Sequence, residues 1–155
     1  KRNPYYGQNN FLTYGNFDRN IIKERVLVNF EKELEFHIKL FSENLNFQYR
    51  SYNIRSSWIA KFEKGSDAHI HDHGSSDISG VYYYKKCDSD GNIFFQSPVA
   101  QSESSMCFWN PHFQMSTEQG ELLLFPGYLK HGIHTNNTEE DRISFSFDIV
   151  FNRME

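Results

Sequence analysis

The chain has 155 residues with a formal net charge of −4, 17% aromatic residues and 2 cysteines. That length suits one domain (1–155) able to bury about 70% of its unfolded surface. It carries no Lys/Arg run for nucleic acid, no apolar stretch long enough for a membrane span and too few cysteines for a disulfide framework. The 15 Phe and 9 Tyr favour a β-rich core or an aromatic pocket. Cys87 and Cys107 are read as reduced thiols, which places the chain in a cytoplasm (a host's if it is phage-encoded).

Residues 1–19 read as an extended or looped lead-in. Its aromatic residues, Tyr5 to Phe17, either cover the domain or contact a second copy in a homodimer. From about Asn20, Ile22, Val26, Phe30, Leu34 and Ile38 recur every four residues. This spacing predicts an amphipathic helix or helix pair, with Asp18 or Asn20 as N-cap and its apolar stripe against a sheet. Residues 1–46 thus form a lead-in and helical segment, and 47–155 a β core.

After Asn46 the period becomes two. Phe47 to Ile54 and Trp58 to Glu63 read as separate strands closed by Gly65-Ser66. Ile78 to Lys86 is a strong strand. The Asp88–Asn92 turn then predicts Ile93 to Gln96 as its hairpin partner. Residues 98–119 suggest short strands and a loop covering a pocket. Glu121 to Phe125 reads as a buried strand ended by Pro126-Gly127. In the last strand Ile143, Phe145, Phe147, Ile149 and Phe151 share one face; Arg142, Ser144, Ser146 and Asp148 share the other. If that polar face looks into a barrel, Arg142 must meet an anion, because a buried unpaired guanidinium is costly. Short strands with turn signals indicate a sandwich or barrel.

The chemistry concentrates in Ala68-His69-Ile70-His71-Asp72-His73-Gly74. Alternate strand residues face the same way, so His71 and His73 can point into one cavity, with His69 one step upstream. His131, beyond Phe125-Pro126, offers a distant third imidazole. Three ligands with open positions suit a catalytic metal more than a structural one. Asp72 faces the opposite way on a regular strand, while Asp77, past the turn, could swing back. Ser79, Val81 and Tyr83 share a face, and Tyr83 has the parity of a pocket residue. Arg142 and Ser144 could bind a carboxylate together. His112 and His134 read as loop residues.

These motifs resemble a known family. His71-x-His73-Gly, Ile78-Ser79-Gly80-Val81-Tyr82-Tyr83, Gly91-Asn92-Ile93-Phe94-Phe95-x-x-Pro98, Gly120-x-x-Leu-Leu-Phe125-Pro126-x-x-x-x-His131 and Arg142-Ile143-Ser144 look like the 2-oxoglutarate/Fe(II)-dependent oxygenases of bacteria and marine phages, over about residues 53–151. The resemblance implies a mainly β protein: a double-stranded β-helix (a jelly-roll, cupin-like barrel) with the helix packed on one sheet. It implies Fe(II) held by His71, His131 and His73, the last standing where the broader superfamily has a carboxylate. It further implies 2-oxoglutarate held by Arg142, Ser144 and Tyr83, and O2 as co-substrate. The product would be a hydroxylated small molecule or side chain; the acidic net charge argues against a nucleic-acid partner, and no membrane partner is expected. Two other classes compete: a cupin-like three-histidine metal protein (isomerase or binding module), and a metal-free β-helix serving interaction. The cupin-like class leaves Arg142-x-Ser144 unexplained.

Overall fold

The computed structural model describes residues 10–12, 20–22, 27–99 and 112–153. Expectations for the rest of the lead-in and for Cys107, Phe108, Trp109 and Pro111 lie outside these residues. Among the described residues are one helix, α1 (Val28–Asn44), and nine strands: β1 (Asn10–Leu12), β2 (Ser51–Phe62), β3 (Ala68–His71), β4 (Ile78–Lys85), β5 (Ile93–Gln96), β6 (His112–Met115), β7 (Leu122–Pro126), β8 (His131–Ile133) and β9 (Arg142–Asn152). They form a five-stranded sheet ordered β1-β2-β9-β4-β7 and a four-stranded sheet ordered β3-β8-β5-β6. All named pairings are antiparallel.

Helix α1 covers the outer face of the larger sheet. Its four-residue period does what the spacing predicts: Leu34 and Ile38 are fully buried against Ile54, Ile78, Phe147 and Ile149. Phe30 adds ring contacts with Tyr82, Phe145 and Phe147. Gly80 lies beneath the Phe147 ring, which a Cβ would meet at 2.2 Å. The helix begins later than expected, at Val28, and has no side-chain N-cap. Asn20 is instead tied to β2: its Nδ2 donates to the Ile54 carbonyl (2.7 Å) and its Oδ1 accepts from Ser57 Oγ (2.6 Å). Ile22 N–H donates to the same hydroxyl at 3.1 Å. These bonds hold residues 20–22 against the sheet, so the apolar repeat at Ile22 is core but not helix.

Two further strand expectations are corrected. The stretch from Ser51 to Phe62 is one strand, with a bulge between Ile54 and Ser56. The bulge lets Ile54 face the helix while Ser56, Trp58, Ala60 and Phe62 face the barrel interior. Strand β5 is not the hairpin partner of β4; it pairs with β6 and β8 in the other sheet. The connection crosses between sheets through a turn whose Asp88 and Ser89 are exposed and whose Asp90 and Gly91 are buried. Asp90 is buried there, accepting from Lys86 Nζ (2.6 Å) and Cys87 N–H (2.9 Å). Gly91 follows at φ +91°.

Between the sheets, Val81 and Tyr83 pack with Ile93, Phe95 and Phe125, and Trp58, Ala60 and Phe62 pack with Ala68. Two aromatic-rich clusters therefore flank the interior face of β9. Among the described residues no helix is long and apolar enough to cross a membrane.

Candidate metal centre

His71 ends β3 and His131 begins β8, and the two are directly paired across the smaller sheet. His73 lies just past β3, where its N–H donates to the Gly127 carbonyl at 2.8 Å. One ligand-type atom from each of these three rings lies within 4.8 Å of the other two. The ring centroids of His71 and His131 are 4.5 Å apart, and those of His73 and His131 are 5.3 Å apart. Trp58 stacks on His73 at 5.8 Å, and Phe125 meets His131 edge-on at 4.7 Å.

Each ring is oriented through Nδ1. His71 Nδ1 lies 2.7 Å from the His69 carbonyl, and His131 Nδ1 lies 2.9 Å from the Leu129 carbonyl. His73 Nδ1 lies 3.0 Å from Oδ1 of Asp148. A carbonyl can only accept, so His71 and His131 carry the proton on Nδ1 and the lone pair on Nε2. Burial lowers the pKa of both rings. The charge of His71 lowers His131 further, to about 3. Both rings therefore stay neutral at ordinary pH, as metal donors must.

The same cavity is lined by Tyr83, Arg142 and Ser144. Arg142 is fully buried. Its Nη1 donates to the Gly91 carbonyl at 2.9 Å, and the guanidinium sits 4.2 Å over the Phe62 ring. Its Nε and Nη2 are buried with no hydrogen-bond partner. That pair forms one edge of the guanidinium, the edge that binds a carboxylate in two parallel hydrogen bonds. Burial lowers the Arg142 pKa and raises that of Tyr83, while each of the two opposes the other's shift.

The structure keeps three sequence candidates out of the triad. His69 is exposed and lines a separate outer crevice with Asp67, Phe94 and His134. The cause is a bulge in β3: Ala68 pairs with Ile133 and His71 with His131, so three steps on β3 match two on β8. Ala68 and His71 face inward, and the strict alternation is broken. Asp72 Oδ1 accepts from Gly74 N–H at 3.1 Å, stabilising a turn. Asp77 Oδ2 accepts from Phe151 N–H at 2.7 Å. Ser79 is buried beside the triad, its hydroxyl donating to Asp148 at 2.7 Å. His112 and His134 both lie outside the triad, although His112 begins β6 instead of lying in a loop.

Sequence reasoning placed Asp148 on the polar face of the last strand without giving it a role. Its carboxylate also accepts from Ser56 Oγ at 2.9 Å. Burial works to raise the Asp148 pKa, but His73, Ser79 and Ser56 together outweigh it and hold it below the ordinary carboxylate value. The available signal was the even parity Asp148 shares with Arg142, Ser144 and Ser146.

An antiparallel double-stranded β-helix with a histidine triad inside defines a metal-dependent cupin-like or oxygenase architecture. Residues 56–148 match the protein family described as "Putative 2OG-Fe(II) oxygenase", and the chain belongs to that family. A search of curated proteins finds no match. Among solved structures, the chain is similar to an oxidoreductase of the 2OG-Fe(II) oxygenase family from Burkholderia pseudomallei. The TM-score is 0.57 at 17% identity, over 72% of this chain and 49% of that one. It is also similar to a Pseudomonas putida prolyl-4-hydroxylase (TM-score 0.53, 14% identity, 81% of this chain and 61% of that one). A third likeness is to HygX from Streptomyces hygroscopicus, solved with nickel and 2-oxoglutarate bound (TM-score 0.50, 14% identity, 64% and 56%). At these identities the likeness establishes the fold. The chain spans about half the length of the Burkholderia protein.

Proposed function

We propose that this chain is an Fe(II)- and 2-oxoglutarate-dependent dioxygenase that hydroxylates a C–H bond of a small molecule or side chain, releasing succinate and CO2. One observation carries the proposal: a triad of imidazoles and an unsatisfied guanidinium edge share one buried cavity. The donor set fits a borderline divalent metal such as iron, and the guanidinium edge fits a carboxylate. A structural metal would not need that edge.

When bound, iron and 2-oxoglutarate supply the oxidising chemistry, in which O2, 2-oxoglutarate and a substrate C–H become succinate, CO2 and C–OH. The protein's share is binding and orientation. His71, His73 and His131 would hold the metal from one side. Arg142 would take the remote carboxylate through Nε and Nη2, while the Gly91 carbonyl on Nη1 fixes the guanidinium plane. Ser144 and Tyr83, buried on the same interior face, would offer hydroxyls to that carboxylate. Trp58, Ile93, Phe125 and Ile133 line the walls and exclude water, which strengthens each polar contact inside.

The test is anaerobic addition of Fe(II) and then 2-oxoglutarate, following visible charge-transfer absorption in the parent and in Arg142→Ala. A band that needs both additions and weakens in the variant supports the proposal. Iron binding without a 2-oxoglutarate-dependent band would favour a cupin-like three-histidine protein.

A further inference from the structure

Three imidazole ligands bring no negative charge to a divalent cation. Asp72 and Asp77 accept from the backbone N–H groups of Gly74 and Phe151. Asp148 is the carboxylate bonded to a ring of the triad: its two oxygens accept from Ser79, Ser56 and His73, and it is buried inside the barrel. Asp148 and Arg142 lie on the same face of β9, one at each end of the cavity's polar stripe.

We infer that Asp148, clamped by Ser56 and Ser79, is the positioning carboxylate of a three-histidine centre, holding His73 through Nδ1–H so that Nε2 faces the metal. The inference rests on the oxygenase reading and deepens it. Two consequences follow. First, the third protein ligand is His73, and the carboxylate sits one hydrogen bond behind it. A carboxylate there raises the basicity of the ring and fixes its tautomer. Second, the buried charges balance. A divalent metal and Arg142 bring three positive charges; bound 2-oxoglutarate cancels two and Asp148 the third. Without Asp148 one buried positive charge would be left uncompensated.

The experiment compares the parent protein with Asp148→Asn and Ser79→Ala. Co(II) is titrated without 2-oxoglutarate and followed by its visible d–d absorption. In the metal-free proteins, the Nδ1–H proton of His73 is observed by NMR after ¹⁵N-histidine labelling and assigned with His73→Gln. Thermal melting of each metal-free variant reports the fold. In the parent, that proton should resonate far downfield, as an N–H bound to a carboxylate does. It should move upfield in Asp148→Asn, with Co(II) affinity falling about 10–100-fold. Ser79→Ala, which loosens the clamp without removing the charge, should give a smaller loss in the same direction. Co(II) affinity within about twofold of the parent in both variants, with an unmoved His73 proton, would overturn the inference and leave the oxygenase reading standing. Failure of the parent itself to bind Co(II) would overturn the oxygenase reading.

Discussion

Replacing Arg142 by Met should separate stability from binding. Two buried N–H groups of Arg142 lack partners, each costing about 1–3 kcal/mol, so Met of similar length relieves about 2–6 kcal/mol. Against this, the Gly91 carbonyl loses its donor, a cost of about 1–3 kcal/mol, and the contact over Phe62 disappears, about 0.5–2 kcal/mol. The midpoints of the two ranges differ by only about 1 kcal/mol, so the metal-free variant should unfold in urea close to the parent. Were Arg142 half of a buried ion pair, its loss would cost about 3–5 kcal/mol instead. Binding behaves differently. The Ni(II)-loaded parent with 2-oxoglutarate at 100 times its Kd should gain about 2.7 kcal/mol, and the Met variant essentially none. A metal-free loss above about 3 kcal/mol, or full retention of the 2-oxoglutarate gain, would refute the assignment of the unpartnered edge to a carboxylate.

Three further outcomes are expected. His131 titrates near its ordinary 6.5 when unfolded but at about 3 when folded, so on acidification the unfolded chain takes up the proton first and stability falls. Between pH 7 and pH 5 the metal-free protein should lose about 2 kcal/mol from this residue, with His71 acting in the same direction; a flat denaturation midpoint over that window would contradict it. Gly91→Ala should lose more than about 2 kcal/mol in urea unfolding, because its φ is +91° and the new Cβ would meet the His134 carbonyl at 1.9 Å. It should also weaken 2-oxoglutarate binding by calorimetry, since the Gly91 carbonyl orients Arg142. Finally, Co(II) titration should separate neighbours in sequence: His71→Ala should lose high-affinity binding, whereas His69→Ala should match the parent.

Much of the molecule follows from local pattern. The four-residue apolar repeat alone predicts the buried stripe of α1, because helical periodicity is a property of consecutive residues. The two-residue period places Arg142, Ser144 and Asp148 on one face of β9 and its aromatics on the other. His71-x-His73, His131 and Arg142 stand out because burying such groups requires partners. What local pattern does not carry is register. The bulge at Ala68–His71 turns His69 outward, and the bulge at Ile54–Ser56 makes one strand of two apparent ones. Both depend on pairing with β8 and β9, strands far along the chain. The placement of β5 in the opposite sheet rests on its pairing with β6 and β8, and the Lys86–Asp90 pair in the turn before it is buried although it reads, in sequence, as ordinary surface charge. Asp148 meets His73 across 75 residues of chain. The sequence by itself thus determined which residues could do chemistry and which face of each element was apolar. The tertiary structure alone decided which of them meet, because strand pairing and sheet crossing are long-range choices, and one residue of slip reverses every side chain.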